Sequence, residues 1–396
     1  MRHDYDYLII GAGMTADTAA RGIRETDADG SIGIVGDEAD PPVRRPALSK
    51  DLWTDDEATI EDQTLDPAGA TGATLHLGHS VTALDLDGRV ATTDGGDELG
   101  YGRLLLATGG HPRHLDGLEP SEHVVYYRTL ADFRHLREAA TSDTHVVVVG
   151  GGYIGSEVAA ALAQNDVTVT MVFPEDHPGG GRFPDSIAQQ VTNRYLDAGV
   201  ELRSGTGVDS GTDAGDGVEL TLDDGSTLTA DLVVVGLGIE PAAGLAGVAG
   251  LELSDDGGIV VDDHLRTSAE GVWAAGDVAS YVDPRLGRRR VEHEDNATTM
   301  GQAAGRAMAG ADEVYDHTPM FYSDLFDLGY EAVGRMDASL ETVEDAQGDG
   351  TVVYYLDDDR VVGVLLWNVW DAVDQALEVI GAGSRPASFS DLVTGG

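Results

Sequence analysis

The 396-residue chain contains no cysteine. That removes disulfide frameworks, thiolate metal sites, iron–sulfur ligation and any chemistry that runs through a redox dithiol or a cysteine nucleophile. Positive charge is also scarce: 24 basic residues stand against 71 acidic ones, the formal charge is −47, and Lys50 is the sole lysine. A surface of that sign repels nucleic acid and anionic membranes, so neither is expected as a partner. The acidic residues are spread along the chain, as at Asp223–Asp224, Asp255–Asp256 and Asp357–Asp359, and form no single tail. Such a balance reads as halophilic adaptation to multimolar salt, where the Debye length shrinks to about 3 Å and self-repulsion fades. Long apolar runs are missing too. None approaches the ~20 residues that cross a bilayer, and the first residues carry Arg2, His3 and Asp4 in place of an apolar signal core. A cytoplasmic location is the expectation.

What is present is a chain with 41% apolar residues, enough for roughly two to four folded domains. Residues Tyr5–Ile10 read as a strand, Gly11-Ala12-Gly13-Met14-Thr15-Ala16 as a glycine turn opening a helix, and a second strand closes on Asp37. The pattern recurs at Val146–Val149, Gly150-Gly151-Gly152-Tyr153-Ile154-Gly155 and a strand ending at Glu175. A glycine turn between strand and helix lets a pyrophosphate approach the helix N-terminus, and the acid ending the next strand accepts hydrogen bonds from a ribose diol. Two such sites in one chain suit a flavoprotein that takes hydride from a nicotinamide: FAD on one, NAD(H) on the other. Glu175 favours NADH because a carboxylate repels a 2′-phosphate, while Arg182, seven residues on, keeps NADPH open. The expected fold is α/β with two Rossmann-type domains, the second inserted in the first: FAD-binding residues 1–114 and 240–319, NAD(H)-binding residues 115–239, and a C-terminal α+β domain, 320–396.

The run Pro41-Pro42-Val43-Arg44-Arg45-Pro46-Ala47-Leu48-Ser49-Lys50-Asp51-Leu52-Trp53 resembles the ferredoxin-reductase-like branch of the pyridine nucleotide-disulfide oxidoreductases, a glutathione-reductase-like fold, and within it the apoptosis-inducing-factor group. The likeness continues through Leu104–Arg113, Gly150–Leu162, Trp273–Asp277, Leu286–His293, Met320–Leu325, Gly329–Gly334 and Val361–Asn368. It implies that Lys50 and Glu157 form the catalytic ion pair near flavin N5. It further implies that Arg45 holds the FAD pyrophosphate, with Arg128 and Arg134 as further candidates, and that Asp277 meets the ribityl chain. Glu292 and His293 then lie over the isoalloxazine and nicotinamide, and Gly11, Ala12, Gly13, Asp37, Val81 and Tyr322 complete the FAD set. For NAD the implied set is Gly150, Gly152, Tyr153, Gly155, Glu157, Glu175, Gly238 and Glu331. No metal site is assigned. Tyr322 stands where that group has tryptophan, and no cell-death role is carried over, because the basic surface it rests on is missing.

The absence of cysteine excludes the disulfide-reducing and sulfenic-acid branches. The acceptor is left open between ferredoxin, quinone and others. An NADH-sensing protein that keeps a reduced flavin–NAD complex and binds partners is the alternative to an enzyme. Arg285, Arg288, Arg289 and Arg290 form the one basic island, read as an interface or a cofactor-linked ion-pair network; the resemblance puts it near a dimer contact, giving a homodimer sensitive to NADH. Residues 341–350 read as an acidic loop, and the last ten or so as a loose tail.

Overall fold

The apolar runs Tyr5–Ile10 and Val146–Val149 become central strands of two separate sheets in the computed structural model, which describes residues 1–395. The principal elements are β1 (Arg2–Ile10), α1 (Met14–Thr26), β2 (Ile32–Gly36), β3 (Thr74–Leu77), β4 (Val81–Asp85), β5 (Val90–Thr93), β6 (Glu98–Leu106), β7 (Val124–Tyr126), α2 (Leu130–Ala139), β8 (His145–Val149), α3 (Tyr153–Gln164) and β9 (Thr168–Phe173). They continue with α4 (Asp185–Asp197), β10 (Glu201–Ser204), β11 (Leu232–Val235), β12 (Val272–Ala274), α5 (Glu294–Met308), β13 (Met320–Leu325), β14 (Leu328–Gly334), β15 (Glu341–Gln347), β16 (Gly350–Asp357), β17 (Arg360–Trp367) and α6 (Val373–Gly381). The chain forms two compact units: unit 1 holds residues 1–45, 60–111 and 240–319, and unit 2 holds 46–59, 112–239 and 320–396.

In unit 1 the strand order is β3-β2-β1-β6-β5-β4, with β12 also pairing β6. The β3, β2, β1, β6 and β12 pairings are parallel, and β6-β5-β4 turns antiparallel. Strands buried on both faces need continuous apolar runs, and Leu8, Ile9, Leu104 and Leu105 are fully buried. Against this sheet α1 and α5 cross at glycines. A Cβ on Gly22 would lie 2.2 Å from the Gln302 carbonyl oxygen, and one on Gly305 only 2.0 Å from that of Ala19.

Unit 2 has an all-parallel sheet, β10-β9-β8-β11-β7. Its C-terminal part is a five-stranded antiparallel sheet, β13-β14-β17-β16-β15, with α6 packed on β14 and β17. Buried aromatics fill it: Tyr330 and Trp367 stack with centroids 5.7 Å apart, and Phe183 meets both edge-on. Two sequence expectations fail here. Residues 341–350 are no loop: 341–347 form β15, paired residue by residue with β16. The tail is docked: Val393 is fully buried, its N–H is bound by the Tyr354 hydroxyl and its carbonyl by Gln347.

Candidate active site

In unit 1 the chain leaves β1 through Gly11, whose φ of +111° suits glycine and whose Cβ would overlap the Ala107 carbonyl oxygen at 2.0 Å. Helix α1 then starts with Gly13 as its N-cap and no side-chain cap, so its first N–H groups stay available. A Cβ on Gly13 would meet nothing within 4 Å. Open space before an uncapped helix end fits a pyrophosphate. Asp37 follows the end of β2 and is exposed, while Ala12 lies against Gly36. Arg45 pairs with Glu38, and Val81 is half-buried in β4. Asp277, half-buried in a short turn after β12, lends its carbonyl to Arg290 at 3.0 Å. Glu292 pairs with Arg290 at 2.6 Å, and His293 is the N-cap residue of α5.

The second turn in unit 2 repeats this geometry. Gly150 has φ +107° and its Cβ would lie 2.5 Å from the Gly236 carbonyl oxygen; Gly155 allows still closer approach, 2.0 Å from the Gly150 oxygen. Helix α3 has Gly152 as N-cap and again no side-chain cap. After β9, Glu175 carries a buried oxygen, Oε2, without a hydrogen-bond partner, which fits a ribose hydroxyl donor. Glu331 on β14 has the same feature at Oε2, and burial with the nearby Asp371 charge raises its carboxyl above the usual value. The Arg182 guanidinium stacks 3.7 Å over the Tyr153 ring, whose phenol burial pushes up to about 12. Gly238 has φ +81° and accepts from the Arg113 N–H.

Lys50 also lies in unit 2, on a segment held by its aromatic neighbour. Trp53 donates Nε1–H to the Leu48 carbonyl at 2.7 Å, Tyr127 donates to the same oxygen, and Trp53 packs edge-on against Phe133. The Lys50 side chain, 10% exposed, brings Nζ to 3.3 Å from Glu157 Oε1, 3.1 Å from the Tyr322 carbonyl and 4.1 Å from the Tyr322 ring centroid. Glu157 also accepts from the hydroxyls of Ser49 and Ser323. A buried ammonium with one counter-ion and one aromatic face provides fixed positive potential where a developing anion can use it.

Lys50, Glu157 and Tyr322 therefore meet, and Tyr153, Glu175 and the Gly150–Gly155 turn share their unit. Arg134 sits exposed on α2, and Arg128 precedes that helix with its N–H on Asp132. The arginine island in unit 1 is spent internally: Arg288 donates to the Ser280 carbonyl at 2.6 Å, Arg285 to Thr318, Arg290 pairs with Glu292, and Arg289 is 3.7 Å from Asp283. Sequence reasoning missed Ser49 and Ser323, which stand 108 and 166 residues from the carboxylate they bind. No local pattern links them.

A family model described as pyridine nucleotide-disulphide oxidoreductase matches residues 5–301. The chain belongs to that family. As a member it is an oxidoreductase that uses FAD and NAD(H). A second model, the apoptosis-inducing factor mitochondrion-associated C-terminal domain, matches residues 304–345 of this oxidoreductase. Among its relatives is the putative mitochondrial apoptosis-inducing factor 1 of Drosophila melanogaster, 31% identical over 98% of the chain; the chain spans 64% of that relative's length. The ferredoxin–NAD(+) reductase component of the anthranilate 1,2-dioxygenase system from Burkholderia cepacia is 34% identical, with 96% of this chain and 95% of that one covered. The fold is also similar to putidaredoxin reductase in its covalent complex with putidaredoxin, at a TM-score of 0.88 and 30% identity, covering 96% of this chain and 93% of that one.

Proposed function

We propose that this oxidoreductase takes hydride from NADH and delivers electrons to a ferredoxin. The observation that carries the reading is the Lys50–Glu157 pair, the sole lysine buried on a carboxylate and a tyrosine ring in a chain without cysteine. FAD, when bound, supplies the exchange between a nicotinamide hydride and electrons for an acceptor. Unit 1 would hold it, with the uncapped end of α1 and Arg45 on the pyrophosphate, Asp37 on the ribose, and Val81, Asp277, Glu292 and His293 along the remainder. The parallel sheet of unit 2 would hold NADH, with the α3 N-terminus on its phosphates and Glu175 on its ribose. Direct hydride transfer asks no side chain to act as acid or base, so the protein's part is alignment and fixed charge. Lys50 supplies that charge, and Tyr322 presents it.

Ferredoxin as acceptor is supported by the Burkholderia cepacia and putidaredoxin reductase relatives. The charge of −47 supports a protein at home in concentrated salt, and a cytoplasmic site goes with the use of NADH. The C-terminal match at 304–345 favours a second reading, an NADH sensor that dimerises on its reduced cofactor.

Anaerobic stopped-flow absorbance in about 2 M KCl, with NADH or NADPH followed by ferredoxin or quinone, separates these. Rapid NADH-specific flavin bleaching and reoxidation by ferredoxin support the reductase. Slow bleaching, a persistent long-wavelength band and an NADH-dependent rise in mass support the sensor. A protein that takes up no flavin on reconstitution overturns both.

A further inference from the structure

A buried carboxylate needs a donor at each oxygen. Glu157, 7% exposed, finds them on two hydroxyls from distant segments. Ser49 donates to Oε2 and Ser323 to Oε1, both at 2.6 Å, and the serines are themselves only 4% and 1% exposed. The Lys50 ammonium, 3.3 Å from Oε1, makes the longer contact. Ser323 stands opposite Tyr330 in the pairing of β13 with β14, and burial pushes the Tyr330 phenol well above its ordinary value. The carboxylate is thus fixed from three elements before the lysine is counted: the turn at 45–48 leading into Ser49, helix α3 and strand β13.

We propose that Ser49 and Ser323 form a hydroxyl clamp that fixes the Glu157 side chain and, through it, holds Lys50 in place. Both serines are positioning residues. A lysine on a flexible four-carbon stem does not fix its own location; here the clamped carboxylate on one side and the Tyr322 carbonyl on the other do so. With Ser323 gone, Oε1 is left to the ammonium; with Ser49 gone, Oε2 loses its hydroxyl donor. The carboxylate then turns and draws Nζ off the Tyr322 carbonyl, and the positive charge is no longer fixed. The clamp is a property of unit 2, while its effect on FAD rests on the assignment of Lys50 to the flavin.

Because Lys50 is the only lysine, amine acylation reads a single side chain once the N-terminus is separated by peptide mass. In the FAD-loaded protein, Ser49→Ala and Ser323→Ala should each be acylated at Lys50 by an N-hydroxysuccinimide acetate about tenfold faster than wild type, as expected for loss of one charge-assisted hydrogen bond. Ser323→Thr keeps the hydroxyl on a strand that favours threonine and should restore the slow rate. In the same samples the midpoint potential of bound FAD should move negative in the alanine variants and not in the threonine variant. Unchanged acylation in both alanine variants, or a threonine variant as fast as alanine, overturns the clamp. Faster acylation with an unmoved potential upholds it and removes the assignment of Lys50 to the flavin. If Ser323→Ala fails to fold by circular dichroism, Ser49→Ala tests the other oxygen.

Discussion

In unit 1 the glycine turn ends on Ala16, in unit 2 on Gly155, and the two helices are braced differently as a result. A Cβ on Gly155 would stand 2.0 Å from the Gly150 oxygen, so α3 nests against its own turn, whereas Ala16 is buried with its methyl accommodated. Unit 1 recovers close approach elsewhere, where α1 meets α5 at Gly22, Gly301 and Gly305. The acids diverge in the same way. Asp37 is exposed, whereas Glu175 and Glu331 of unit 2 each keep a buried oxygen without a partner. The same βαβ pattern thus serves two regimes. In unit 1 the acid after the second strand reaches solvent, while in unit 2 its counterpart Glu175, and Glu331 with it, keep a buried oxygen with room for a ligand's donor.

The largest test of that contrast is Gly305→Ala. No rotamer relieves an overlap with the Ala19 backbone, so unit 1 should lose about 3 kcal/mol, read as a lower thermal midpoint and FAD release. Gly155→Ala should leave FAD bound yet abolish reduction by NADH; loss of FAD in both variants would erase the distinction. Lys50→Ala should slow flavin reduction about tenfold or more with FAD retained, on the scale of lost electrostatic stabilisation, and an unaltered rate would exclude the lysine from the chemistry. Glu175→Ala should cut the preference for NADH over NADPH about tenfold, close to 1.4 kcal/mol, measured as the ratio of kcat/KM values. Smallest is Glu331→Gln. A carboxyl raised in the folded state contributes stability that is present at low pH and lost as pH rises through its folded value. The amide should therefore raise the unfolding midpoint at pH 7 by about 1 to 3 °C, with the gain gone near pH 4.

The parallel core of each sheet was legible because each signal is local: an apolar run, a glycine turn, an acid one strand later. Lys50 and Glu157 were legible only through a resemblance, since nothing in their spacing joins them. Strand β15 was hidden by its composition. Glu341, Glu344 and Asp345 mimic a solvated loop, and the pairing comes from Val352–Leu356 across the hairpin. Ser49 and Ser323 were hidden by distance along the chain. The arginine island read in sequence as an interface or a cofactor-linked ion-pair network; in the structure Arg290 pairs with Glu292, and Arg288 and Arg290 donate to carbonyls of their own unit.

Strand β15 is the outermost strand of its sheet, and an open strand edge invites another chain to add to it. Its three carboxylates guard against such addition by repulsion, yet that guard fails in multimolar salt, where charges act over only about 3 Å. The docked tail does not depend on repulsion. Arg385 grips Glu341, the Asp391 N–H binds Asp345 and Gln347 holds the Val393 carbonyl. Residues 385–393 therefore tie onto side chains of this outermost strand, a cover for its edge that repulsion alone does not provide.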